Sequence, residues 1–117
     1  MLEHALGLVF ARQKRTEESV KALRAAALQE PDNSHFAYVY AVALNDFGQP
    51  KEALRVLDRA LKRQPYDRDV LSGLAYFTAK EGNRELALGY AKQLRELDPE
   101  TAEYVRMVDT IEKSPRR

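Results

Sequence analysis

No cysteine occurs in the 117 residues. That absence removes disulfides, zinc–thiolate sites, haem attachment through Cys-x-x-Cys-His and cysteine nucleophiles in one step. An excess of one charge is missing too: 19 basic and 18 acidic side chains leave a formal net charge of +1. Such a balance gives no field to hold the chain on nucleic acid or an anionic membrane. No apolar run approaches the roughly 18 residues that cross a bilayer, so membrane insertion is not expected. The opening residues, "MLEHALGLVF", are acidic and amphipathic, without the basic n-region and cleavage site of a signal peptide. Neither point fixes a compartment: a cytoplasmic protein, or a piece of an exported one, would read the same way. His-Glu-x-x-His, Gly-x-Ser-x-Gly and phosphate-cradling glycine loops are also absent, so neither enzyme activity nor a cofactor is expected.

Charged residues make up 32% and hydrophobic residues 44% of the chain, the composition of a soluble globular domain. One domain of this length buries roughly two-thirds of its unfolded surface without covalent staples. Its organisation is periodic. Pro31, Pro65 and Pro99 are spaced by 34 residues, which points to stacked repeats. Within each period apolar residues fall at helical spacing. Leu6 to Phe10, Ala37 to Leu44 and Val70 to Phe77 mark a first helix, A. Val20 to Leu28, Ala53 to Leu61 and Leu86 to Leu97 mark a second, B.

"QKRT", "FGQP" and "EGNR" separate A from B. Gly48 and Gly82 suit the left-handed position just past a helix end, and Pro50 suits the first turn of the next helix. Lys14 occupies the glycine slot of the first turn, where Thr16 can cap the following helix. Glu17, Glu52 and Glu85 recur near the start of B, where the helix dipole favours them. After each B helix, "QEPDNS", "RQPYDR" and "ELDPET" offer acidic or hydroxyl caps for the next A. The last segment, "PETAEYVRMVDTIEK", reads as an A-like helix with Val105, Val108 and Ile111 in one stripe. It would cover the open end of the stack.

These features resemble the tetratricopeptide repeat family, whose 34-residue pattern is W-x2-L-G-x2-Y…A-x3-F…P. The first repeat reads Leu6, Gly7, Phe10, Ser19, Leu23, Ala26 and Pro31. The second reads Tyr40, Ala41, Leu44, Ala53, Leu57, Ala60 and Pro65, and the third Leu74, Ala75, Thr78, Ala87, Ala91, Leu94 and Pro99. Small residues at Gly7, Ala41, Ala75, Ser19, Ala53 and Ala87 allow A and B to approach closely. The resemblance implies an all-α, right-handed α-solenoid of antiparallel helix pairs, about seven helices in all. A single domain over 1–117 would hold repeats at about 1–33, 34–67 and 68–101, a capping helix at about 102–113 and a tail at 114–117. The tryptophan slot departs from the pattern, holding Glu3, Ala37 and Leu71. In the third repeat a large Leu94 and a small Ala91 exchange the usual sizes, which reads as volume compensation. The abrupt start at Met1 suggests a fragment of a longer protein.

In this family the A helices line a concave groove that accepts a peptide or helix. The corresponding residues are His4, Leu8 and Arg12 in the first repeat, then His35, Tyr38, Val39, Val42 and Asn45 in the second. The third supplies Asp69, Ser72, Tyr76 and Lys80, and the last helix Arg106 and Met107. The groove thus reads as apolar and aromatic at its centre with polar ends, with Tyr38 and Tyr76 as either anchors or contacts between A helices. Chaperone-binding members grip a C-terminal carboxylate with two lysines, an arginine and two asparagines. The matching slots here hold His4, Leu8, Val39, Asp69 and Gly73, so an EEVD-type tail is disfavoured. His4 and His35 lie roughly one repeat apart, with Asp69 another repeat along in the slot matching His35, and the three could form a metal or acid–base set, but solvated groove polar residues are the simpler reading. Lys62-Arg63 and Arg116-Arg117 are isolated basic pairs, with no repeated code for nucleic acid. The expected function is a non-enzymatic protein-interaction module. The alternative is an accessory or self-associating domain of a larger bacterial protein. "HFAYVYAVALNDFG" and "PYDRDVLSGLAYF" loosely resemble repeats at the C-terminus of periplasmic multihaem cytochromes.

Overall fold

A computed structural model of the chain describes residues 16–114, with side chains from Glu17 onward. The expected first A helix, with Leu6, Gly7 and Phe10, lies outside these residues. So does the side chain of Thr16, and with it the capping role expected there. Among the described residues there are six helices and no strand: α1 (Thr16–Gln29), α2 (Ser34–Asp46), α3 (Pro50–Arg63), α4 (Arg68–Lys80), α5 (Arg84–Leu97) and α6 (Ala102–Lys113). Each packs on the next, and α2 also packs directly on α4. The result is a right-handed solenoid in which α2 and α4 are successive A helices and α1, α3 and α5 successive B helices.

The A–B turns follow from local backbone chemistry. Gly48 and Gly82 have φ of 84° and 87°, values that cost any residue with a Cβ. Around them the Gly48 N–H donates to the Asn45 carbonyl at 3.1 Å and the Gln49 N–H to the Leu44 carbonyl at 2.8 Å. The second turn repeats this, Gly82 N–H to Ala79 at 3.0 Å and Asn83 N–H to Thr78 at 2.9 Å. Both are Schellman closures that satisfy the last carbonyls of an A helix. Pro50 starts α3, where its missing N–H is not needed.

The B–A junctions differ from expectation at two of the three helix starts. Asn33, an amide rather than an acid or hydroxyl, caps α2 by accepting the Phe36 N–H at 3.2 Å. Its neighbour Ser34 is inside the helix and donates instead to Asp67 Oδ2 at 2.5 Å. Asp67 meanwhile caps α4, its Oδ1 accepting the Val70 N–H at 3.0 Å. One carboxylate therefore fastens the starts of two successive A helices. At α6, Thr101 occupies the cap position but makes no side-chain cap bond; its hydroxyl donates to Asp98 at 2.6 Å.

Close approach at the helix crossings is visible in burial. Ala41, Ala53, Ala75 and Ala87 are all 0% exposed, and Ser19 is 1% exposed. The main core gathers Leu23, Tyr40, Leu44, Leu57, Val70, Leu74 and Phe77 from α1 to α4. A second cluster joins Ala75, Ala87 and Ala91 to Val108 and Ile111 of α6. Leu94 and Ala91 are both fully buried. The stripe expected on α6 is only partly used: Val108 and Ile111 are buried, whereas Val105 is 45% exposed and Met107 packs in its place. A step of three residues per contact drifts around a helix of 3.6 residues per turn, so Val105 rotates off the face. Arg84 ties α5 to the end of α6 by donating to the Glu112 carbonyl at 2.7 Å.

Candidate functional site

Because α2 and α4 touch, their outward residues form one continuous surface. Tyr38, Val39 and Val42 of α2 are half-buried and pack against the main core. The Tyr38 ring lies over Gly73 of α4: a Cβ at position 73 would stand 3.2 Å from Tyr38 Cδ1 and Cε1 and 3.0 Å from Leu57 Cδ1. Glycine at 73 thus admits the ring between the two helices. Tyr38 serves the contact between A helices, with one part of the ring left at the surface. Tyr76 is placed differently. It is 60% exposed and makes an edge-on contact to Phe77 with centroids 5.4 Å apart. Phe77 itself is buried, so the core anchors the base of Tyr76 and leaves its ring facing solvent.

Polar residues border this apolar strip. At the start of the two helices His35 and Asp69 are exposed, next to the Ser34–Asp67 bond. Toward the other end Asn45 is half-buried and Lys80 exposed, and Ser72 is half-buried between them. On α6, Arg106 is exposed and Met107 half-buried against the second cluster. His4, Leu8 and Arg12 lie outside the described residues. Tyr104, in the first turn of α6, has its phenol pKa raised above 10.0, chiefly by burial; Arg68 opposes the shift, and Glu103, Asp98 and Asp69 add to it. Asp69 and Tyr104 therefore share one electrostatic neighbourhood at that end of the strip. Among the described residues no group of three His, Asp or Glu side chains is arranged to hold a metal. No helix among them is long and apolar enough to cross a membrane.

On the opposite side the structure shows a feature that the residue pattern did not announce. A cleft of about 670 Å³ opens between α1 and α3, floored by Ala37, Tyr40 and Leu44 of α2. Val20 and Ala27 form one wall and Val56 and Ala60 the other, with Lys21, Arg24, Arg59 and Arg63 along the rim. Burial raises the Tyr40 phenol above 10.0, opposed by Arg24 and Arg59 and reinforced by Glu52. The available signal was Ala37 in the tryptophan slot of the repeat pattern. The basic pair Lys62-Arg63 makes solvent-exposed ion pairs: Arg63 meets Asp32 at 2.7 Å and Lys62 meets Asp58 at 3.6 Å.

Two family models described as tetratricopeptide repeat match the chain, over residues 4–68 and 44–109. No curated protein sequence matches it. Among solved structures, the first repeat domain of Spaghetti (RPAP3) bound to the HSP90 peptide SRMEEVD superimposes with a TM-score of 0.83 at 15% identity, over 96% of this chain and 89% of that one. The Yersinia enterocolitica type III secretion chaperone SycD, in complex with a peptide of the translocator YopD, gives 0.81 at 14% identity, covering 95% and 90%. MamA from Desulfovibrio magneticus RS-1 gives 0.77 at 19%, over 93% of this chain and 62% of that one.

Proposed function

The chain belongs to the tetratricopeptide repeat family, and from that premise we propose that it is a non-enzymatic interaction module taking a peptide or helix in the groove lined by its A helices. The observation that carries the reading is Tyr76, a large ring 60% exposed on α4 beside the apolar strip of Tyr38, Val39 and Val42. The core does not need that ring, and a rigid aromatic on a concave helical face is the kind of group that anchors a partner. Polar residues at both ends, His35 and Asp69 at one and Asn45 and Lys80 at the other, then set the register of the bound segment. Two structural neighbours hold peptides, of HSP90 and of YopD, which supports a peptide-sized occupant here.

An EEVD carboxylate is not the expected occupant despite the likeness to the Spaghetti domain. Of the five clamp slots, Asp69 is an exposed acid that repels a carboxylate, and Gly73 is covered by the Tyr38 ring. Val39 offers no donor, and His4 and Leu8 also differ in type from the clamp residues.

Peptides selected on the wild-type domain from a displayed random library that omits Asp and Glu, which the basic rim of the α1–α3 cleft would attract, test the reading. Tyr76→Ala should abolish capture of the selected peptides while the helical circular dichroism stays unchanged. Undiminished binding by the folded variant refutes the groove assignment. Tyr38→Ala is the weaker probe, because its ring also packs between α2 and α4.

A further inference from the structure

The cleft between α1 and α3 lies on the B-helix side, away from the groove proposed above, and its origin can be traced to one residue. The family pattern opens each repeat with tryptophan. In the third repeat the same slot holds Leu71, which is 0% exposed and fills its space. In the second repeat the slot holds Ala37, and the space beside it is the cleft of about 670 Å³. That volume is within the range of ligand sites, roughly 300–1,000 Å³. Its floor and walls are apolar, from Ala37, Leu44, Val20 and Val56, and Tyr40 presents its phenol there.

The rim carries charge of mainly one sign. Lys21, Arg24, Arg59 and Arg63 stand around the opening, against Glu52 as the one carboxylate of the lining. Three of these cations have acidic neighbours. Lys21 meets Glu17 and Arg59 meets Glu52, each at 3.8 Å, and Arg63 meets Asp32 at 2.7 Å. All are solvent-exposed pairs, of the kind worth only about 0–1 kcal/mol, and they are readily exchanged for a ligand's carboxylates. Arg24 has no ion-pair partner among the described residues, and its charge partly offsets the rise that burial gives the Tyr40 phenol.

We propose that this cleft is a second binding site, which takes the large apolar side chain of an acidic peptide segment into the slot left by Ala37. The segment's carboxylates meet Arg24, Lys21, Arg59 and Arg63. An inserted indole or leucine replaces the ring that the repeat pattern places there, and charge complementarity selects acidic over basic sequences. The two faces of the solenoid would then bind different segments without competing.

The test uses the 117-residue chain and a fluorescein-labelled octapeptide of Asp and Glu with a central Trp-Leu pair, read by fluorescence anisotropy. The wild type should bind this probe with an affinity that falls as salt rises. It should bind neither a version with Gly-Gly at the centre nor one with Lys in place of the acids. Ala37→Trp fills the slot from the protein's own side and should abolish binding while leaving the helical spectrum intact. Arg24→Glu, on the exposed rim, should weaken binding by about tenfold. Tyr76→Ala, on the other face, should leave it unchanged. The proposal is overturned if the wild type does not bind the probe, or if the Gly-Gly version binds equally well. It is also overturned if a folded Ala37→Trp retains binding. Should Ala37→Trp fail to fold, the exposed variants decide: loss with Tyr76→Ala and none with Arg24→Glu moves the probe to the A-helix groove and refutes the proposal.

Discussion

Gly73 and Gly89 sit inside neighbouring helices, α4 and α5, yet replacing each by alanine should change stability in opposite directions. In a helix interior the exchange gains about 0.5–1 kcal/mol, because alanine loses less backbone freedom on folding. At Gly89 nothing lies within 4 Å of the added Cβ, so the gain should be realised in full. At Gly73 the Cβ would stand 3.0 Å from Leu57 Cδ1 and 3.2 Å from two atoms of the Tyr38 ring. Carbon atoms prefer separations of about 3.5–4.0 Å. Leu57 is 0% exposed and cannot swing away, although Tyr38 can yield slightly toward the groove. Forcing an extra carbon into such a site costs about 1–3 kcal/mol. The cost wins, and Gly73→Ala should be about 1 kcal/mol less stable than wild type, with the two variants separated by about 2 kcal/mol. Urea unfolding followed by far-ultraviolet circular dichroism resolves this, since m-values of about 1–3 kcal/mol/M convert the gap to roughly 1 M in midpoint. A Gly73→Ala variant as stable as Gly89→Ala would refute the packing of Tyr38 and Leu57 over α4, and with it the placement of Tyr38 in the groove.

Leu94→Ala should cost about 2–5 kcal/mol, because Leu94 is fully buried and a cavity would remain. Adding Ala91→Leu should restore part of that loss if the two positions exchange volume, and a Leu94→Ala variant of undiminished stability would end the idea. Asp67→Ala should cost about 1–2 kcal/mol in chemical denaturation, since it uncaps α4 and releases Ser34 at the start of α2. Burial raises the phenol pKa of Tyr40, Tyr90 and Tyr104 above 10.0. The unfolded chain then loses these protons first, so stability is intact below pH 10.0 and falls as pH rises through the higher folded values. Tyr40→Phe should flatten that alkaline decline, and an unchanged slope would count against burial of the phenol.

The repeat was legible because its punctuation is local. Glycine at positive φ, proline at a first helical turn and prolines at a 34-residue interval need no tertiary knowledge to interpret. Small residues at the crossings were legible for a similar reason, since only alanine, serine or glycine lets two helix axes approach closely. Capping was read less well. Asn33 and Ser34 are adjacent polar residues, and only the geometry shows that the amide caps while the hydroxyl reaches Asp67. Spacing gave the outward face of α2 and α4 but not the different states of its two tyrosines. Tyr38 is drawn in by a glycine 35 positions along the chain, whereas Tyr76 stays exposed. Ala37 is the instructive case: its departure from the repeat pattern was visible at once, but a missing side chain becomes a cleft only when its neighbours fail to close over it.

Binding of the partner segment on the A-helix face, with Tyr76 at its middle, has a residue-by-residue signature. Amide chemical-shift mapping of the 117-residue chain, titrated with a library-selected peptide, tests it most directly. Shifts should concentrate on α2 and α4, at Val42, Ser72, Tyr76 and their neighbours, with α3 and α5 unmoved. Shifts confined to α3 and α5 would contradict it.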